Sequence, residues 1–275
     1  RRGVPVLLAE AQAQAGGRVS RESRLPGLSE WARVRDWRLH QISKLPSVEL
    51  FPASTMGVQD VLDTGVAHAL IATGSHWRTN GRGRSFPGGV ASYADPRTLA
   101  PDQVLEGARP QGPVVIFDDE GYHMAAGLAD LLASAGLEVT YVTSAGLVAE
   151  WTSYTVEQAR LQARLIERGV RIITSQLVSG LAPGTAQLTC AYSGRETQIA
   201  FGGFIPVTSR EPEDTLWLAL QGRGLTTLER IGDAKAPGLI AHAVHDGHRA
   251  GRAHLAAPDA LAIRRERVIL ERQRR

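Results

Sequence analysis

The run VVIFDDEGYHMAAGLADLLASAGLEVTYVT, residues 114–143, constrains the fold more than any other part of the chain. An apolar run, a short turn, an Ala- and Leu-rich segment, Gly136 and a second apolar run predict a strand at 114–117, a helix at 123–135 and a strand at 138–143. Strands joined through a helix lie parallel, and parallel sheets need cover on both faces. The turn is chemically odd. A nucleotide-binding unit of this layout offers backbone N–H groups to an anion at the helix start, whereas this turn reads Asp118-Asp119-Glu120. Carboxylates there stabilise a helix N-terminus by a few tenths to about 1 kcal/mol, and they repel a pyrophosphate. The second strand ends at Val142-Thr143-Ser144, with no acid for an NAD ribose and no arginine for an NADP phosphate. The turn is therefore expected to cap its own helix and to close the seat to NAD(P)H.

The same grammar extends outward. Residues 4–9 read as a strand ending at Glu10, and 27–45 as an amphipathic helix carrying Trp31, Val34, Leu39 and Ile42. VELF and AHALIATG are further strands, and the Gly- and Arg-rich loop 75–89 is a surface connection. A Pro/Gly boundary at 109–113 precedes the βαβ unit. After it come a helix at 155–168, the strand VRIIT, and an alternating stretch that turns at Pro183-Gly184 and Ser193-Gly194, a β meander. FIPVTS, a helix in EDTLWLALQ, the strand end RIGDA and a last helix follow. The expected fold is α/β, with two Rossmann-like domains, the second inserted in the first. The outer one spans 1–108 plus 202–256, the inserted one 109–201, and a basic tail 257–275.

Composition narrows the function classes. A 43% hydrophobic, 21% charged chain is an ordinary globular one, and no stretch approaches the roughly 20 apolar residues of a membrane helix. The net charge of +3 is concentrated in the tail from Arg264 to Arg275, read as a solvated helix end because no aromatics interleave to stack on bases. No nucleic acid and no membrane partner is expected. The single cysteine, Cys190, rules out an internal disulfide and fits a reducing, cytoplasmic compartment; it also cannot supply the thiolates of an iron–sulfur cluster. His242, His245, His248 and His254 drift around a helix instead of stacking on one face as metal ligands do. No catalytic or metal residue is assigned.

Several residues point to a nucleotide. Glu10, at a strand end, has the position from which an acid accepts ribose hydroxyls. Gly16 and Gly17 permit close backbone approach, and Arg18 can meet a phosphate. IATG and RIGDA each place a glycine at the end of an apolar strand, with Asp233 before the last helix. The glycine-rich turn that would seat a pyrophosphate, and the first strand before it, are absent from the sequence, since they belong 20–30 residues ahead of Glu10.

The stretches EAQAQAGGRVSRESRLPGLSEW, IATGSHWR, the acidic-turn βαβ run and RIGDAKAPGLIAHAVHDGHRA together resemble the C-terminal half of the trimethylamine and dimethylamine dehydrogenase group. These are iron–sulfur flavoproteins of the old-yellow-enzyme lineage, related to histamine dehydrogenase and 2,4-dienoyl-CoA reductase. The resemblance implies two glutathione-reductase-type FAD/NAD(P)-binding domains holding ADP or FAD in the first. Glu10, Gly16, Gly17, Arg18, Thr73, Gly74, Gly232 and Asp233 would line that site. It further implies FMN and a [4Fe–4S] cluster only in an N-terminal flavin barrel not contained here, an electron-transfer flavoprotein as acceptor, and a homodimer when intact. Two other readings remain open: an NAD(P)H-dependent FAD reductase of the dienoyl-CoA or disulfide-reductase type, and a non-catalytic adenine-nucleotide-binding or assembly module.

Overall fold

The computed structural model describes residues 3–255, so Arg1-Arg2 and the basic tail 257–275 lie outside the described residues. The chain opens with β1 (Val6–Ala9), α1 (Arg18–Glu22), α2 (Ala32–Ile42), β2 (Val48–Phe51), α3 (Val58–Asp63), β3 (His68–Ile71), β4 (Ser75–Trp77) and α4 (Pro101–Leu105). Then come β5 (Val114–Asp118), α5 (His123–Ser134), β6 (Val139–Thr143), α6 (Gln158–Glu167) and β7 (Arg171–Ile173). An antiparallel meander, β8 (Gln176–Ala182), β9 (Thr185–Cys190) and β10 (Glu196–Ala200), leads into β11 (Gly203–Val207). The described residues end with β12 (Arg210–Pro212), α7 (Thr215–Leu220), β13 (Thr227–Arg230) and α8 (Ile240–Ala253).

A four-stranded parallel sheet, ordered β11-β5-β6-β7, organises the centre. Every residue of β5, β6 and β11 is buried, which is why these segments read as unbroken apolar runs. Alternation along β5 sorts the side chains between two cores. Val114 and Ile116 pack with Leu128 and Leu132 of α5 and Leu165 of α6. Val115 and Phe117 face the other way, onto Val178 and Leu188 of the meander, Phe204 and Tyr93. Tyr93 spans this second core, its Oη donating to the Val178 carbonyl at 2.5 Å. Gly203, which starts β11, has no room for a side chain: a Cβ there would lie 2.5 Å from that of Pro110.

Outside this sheet the expected fold is corrected. Two Rossmann-like domains require two continuous parallel sheets, each covered on both faces. The described residues hold one such sheet, and the remaining strands form separate pairs: β1 with β2 in parallel, β3 with β13 in parallel, and β4 with β12 antiparallel. A two-stranded pair has little surface to bury, and all four residues of β1 are exposed. The pair β3–β13 packs on a small core of Val61, Ile71 and Leu220. Among the described residues no helix is long and apolar enough to cross a membrane.

Candidate functional site

The structure brings some of the expected residues together and leaves others apart. Glu10 follows β1 and takes the Gln12 N–H on its Oε1 at 2.9 Å. Gly16 and Gly17 have φ of +113° and +52° and turn the chain into α1. Thr73 donates its hydroxyl to the Glu213 carbonyl, and Gly74 accepts the Glu213 N–H at 2.9 Å. Gly232, with φ +59°, gives its N–H to Asp246 at 2.9 Å.

Arg18 and Asp233, 215 residues apart in sequence, meet at 2.6 Å. Asp233 Oδ2 also accepts from Ser75 Oγ at 3.1 Å and Arg210 Nη1 at 3.2 Å, while Oδ1 accepts the Gly238 N–H at 3.0 Å. Both of its oxygens thus accept hydrogen bonds from the protein, three on Oδ2 and one on Oδ1. Arg18 Nε donates to Glu22 at 2.5 Å. Burial pulls the Arg18 guanidinium down, but the Glu22 and Asp233 carboxylates more than offset this and hold it above its usual range. Burial raises the Glu22 carboxyl, against the lowering effect of Arg18.

The three acids of the turn do three different things. Asp118 is fully buried, accepts the Gly121 N–H at 2.8 Å and the Tyr141 hydroxyl, and is pushed up to about 6 by burial, against the pull of those two donors. The Tyr141 oxygen in turn accepts the Ala149 N–H at 3.0 Å. Asp119 takes both the backbone N–H, at 3.0 Å, and the hydroxyl of Ser85. Glu120 stands 3.7 Å from Arg210, and burial together with the Asp118 charge pushes its carboxyl up to about 8. None of them caps α5: the N-cap residue is Tyr122, with no side-chain capping bond. The expectation of a self-capping acidic turn is therefore corrected. Asp118 ends β5 beside β6, Asp119 bonds the loop at Ser85, and Gly121, with φ +76°, turns the backbone between these acids and α5.

Against this charged cluster lies a cavity of about 450 Å³ between α1, α2, the start of α5 and the start of α8. Trp31, Met124, Ile240 and Val244 are among its apolar walls, and Arg18, Glu22 and Glu120 line its charged side. Two of its lining residues, Trp77 and His123, are each 4% exposed, and their Nε1 and Nδ1 atoms are buried without a hydrogen-bond partner. His123 Nε2 lies 3.3 Å from the Glu157 carboxylate, yet burial dominates and lowers the pKa of the ring.

Sequence reasoning missed Arg210, Glu120 and His123 as members of one site. Arg210 sits on a three-residue strand with no local signature, and the only available signal for His123 is its place three residues after the acidic turn, at the start of α5. Of the four late histidines, His242 has a structural task, accepting the Leu239 N–H at 3.0 Å where α8 begins. Among the described residues no group of His, Cys, Asp and Glu could hold a metal ion.

Residues 99–220 match the family model described as the OYE-like second alpha/beta domain. The dimethylamine dehydrogenase of Hyphomicrobium sp. (strain x) is 34% identical over 286 residues, covering 91% of this chain and 38% of that protein. Histamine dehydrogenase from Rhizobium sp. 4-9 is similar in structure with a TM-score of 0.89 and 39% identity, covering 94% of this chain and 41% of that one. The 6-hydroxypseudooxynicotine amine oxidase of Pseudomonas geniculata N1 superposes with a TM-score of 0.88 at 36% identity, covering 91% and 38%. The chain therefore spans well under half the length of these relatives. The match at 99–220 overturns the expectation of a C-terminal nucleotide-binding half built from two FAD/NAD(P)-type domains: it describes an OYE-like second α/β domain, and among the described residues only that region forms a parallel sheet of more than two strands. The finer expectation that FMN and a [4Fe–4S] cluster sit only in a barrel outside this chain has no support in these likenesses.

Proposed function

We infer that this chain is part of an amine dehydrogenase-like flavin oxidoreductase. The observation that carries this reading is identity of 34–39% across more than nine-tenths of the chain with proteins named as amine dehydrogenases and an amine oxidase. In such an enzyme a flavin takes the electrons of an amine C–H bond. One cysteine does not furnish the several thiolates of an iron–sulfur cluster, so no redox step is assigned to residues of this chain. Its own residues provide the buried parallel sheet and the Arg18–Asp233–Arg210 cluster, which fastens the early and late segments to each other. The acceptor in this reading is an external carrier such as an electron-transfer flavoprotein, and the intact protein is a homodimer.

The test is a chimera in which this chain replaces the matching stretch of the Hyphomicrobium dimethylamine dehydrogenase. Dimethylamine-dependent dye reduction by the folded chimera is the expected result, with none by the 275-residue chain alone. A folded chimera without activity overturns the reading, as does turnover by the isolated chain.

A further inference from the structure

Helix α6 buries one side and leaves the other uncovered. Leu161 and Leu165 turn inward onto the central core, and Arg164 and Arg168 are held to Asp130 of α5. The helical period puts Ala159, Arg160, Ala163, Ile166 and Glu167 on the outward face, and all five are exposed. Ile166 is 61% exposed. Val156, just ahead of the helix, is 91% exposed with φ +61°, a backbone region that a β-branched side chain rarely adopts. The Glu157 N–H fixes that turn by donating to the Thr152 carbonyl at 3.0 Å. An apolar side chain is thus held out into solvent at a conformational cost, shortly after the stacked rings of Trp151 and Tyr154.

The charges on this face are complementary to themselves. Among the described residues neither Arg160 nor Glu167 has an ion-pair partner. Seven residues apart, they lie on one side of the helix, about 10 Å from each other along its axis. A second α6 turned end for end sets its Glu167 level with Arg160 and its Arg160 level with Glu167. A parallel copy in register brings like charges level instead.

We propose that α6 is the contact face between two copies of this chain, packed antiparallel about a two-fold axis near Ala163. Ile166 is buried there, and Arg160 of each copy pairs with Glu167 of the other. Ala159 and Ala163 let the two helix axes approach closely. A two-fold contact closes on itself, so association stops at the dimer. The exposed ion pairs fix register and orientation more than strength. A helix of 10 residues is smaller than a standard interface, so the dimer dissociates with a Kd on the order of 1–100 µM. This face goes with the homodimer of the proposed function, yet a chain that stays monomeric would leave the chimera's dye reduction unaffected as the test of that reading.

The experiment is sedimentation velocity of the 275-residue chain from about 1 to about 200 µM. Monomer–dimer exchange is expected, weakened at least about tenfold by Ile166→Glu and at least about threefold by Arg160→Glu or Glu167→Arg alone. Reversing both charges together is expected to restore the dimer, which antiparallel pairing alone explains. Leu7→Glu, on the exposed strand β1, is expected to change nothing. A chain that stays monomeric throughout, a dimer broken by Leu7→Glu, or a double reversal no stronger than the single ones overturns the proposal. Circular dichroism confirms the fold of each variant. If Ile166→Glu does not fold, the charge reversals, made on exposed side chains, decide alone.

Discussion

Asp118→Asn isolates the energetic consequence of burying an acid in this turn. The Asp118 carboxyl is 0% exposed and pushed up to about 6, against an unfolded value of about 3.9. A carboxyl raised in the folded state binds its proton more tightly there than in the unfolded chain. Its contribution to stability is therefore greatest below about pH 4, falls as the pH rises to 6, and is constant beyond. Two units correspond to about 3 kcal/mol. Asparagine keeps the acceptor for the Gly121 N–H but does not titrate, and it costs about 1 kcal/mol where the Tyr141 hydroxyl loses its acceptor. At pH 7 the variant is thus expected to be more stable by about 2 kcal/mol, or roughly 4–8 °C in melting temperature for a domain of this size. At pH 4 it is expected to be slightly less stable than its parent. Glu120 titrates in an overlapping range, so both proteins carry Glu120→Gln, and thermal unfolding is followed by circular dichroism from pH 4 to 7. A variant-minus-parent difference that stays constant from pH 4 to 6 refutes the reasoning.

Two further substitutions probe the same region. Gly121→Ala puts a side chain on a residue with φ +76° and a Cβ 2.7 Å from Trp151 Cδ1; a loss of about 1–3 kcal/mol is expected from the urea midpoint. Arg18→Met leaves Glu22, 2% exposed, without its ion-pair partner, and should cost about 3–5 kcal/mol at pH 8. Since Glu22 is already raised by burial and is raised further once Arg18 is gone, the loss shrinks as acid protonates it, which denaturation at pH 5 reads directly.

What the sequence disclosed follows the range of the forces involved. The βαβ run was legible because its signals are local: strands buried on both faces are continuously apolar, and Gly136 marks where α5 gives way to β6. The acidic turn misled for the opposite reason. Its residues satisfy a local capping rule, but their partners, Ser85 and Tyr141, stand 34 and 23 residues away. Arg18 and Asp233 were both singled out, yet as separate contacts to a nucleotide, because nothing near either one announces that they neutralise each other. The separate strand pairs were illegible too, since each short apolar run reads the same whether it joins a wide sheet or a single neighbour.

The pairing of β3 with β13 sets an order in time. His68 aligns with Thr227, and Arg18 finds Asp233 only after 214 intervening residues have been made. The central parallel sheet is complete once Val207 has emerged. During synthesis the middle of the chain can therefore fold onto Tyr93 and Trp77 while β3 and Arg18 wait for partners still on the ribosome. Slow elongation between residues 208 and 233 would lengthen that wait.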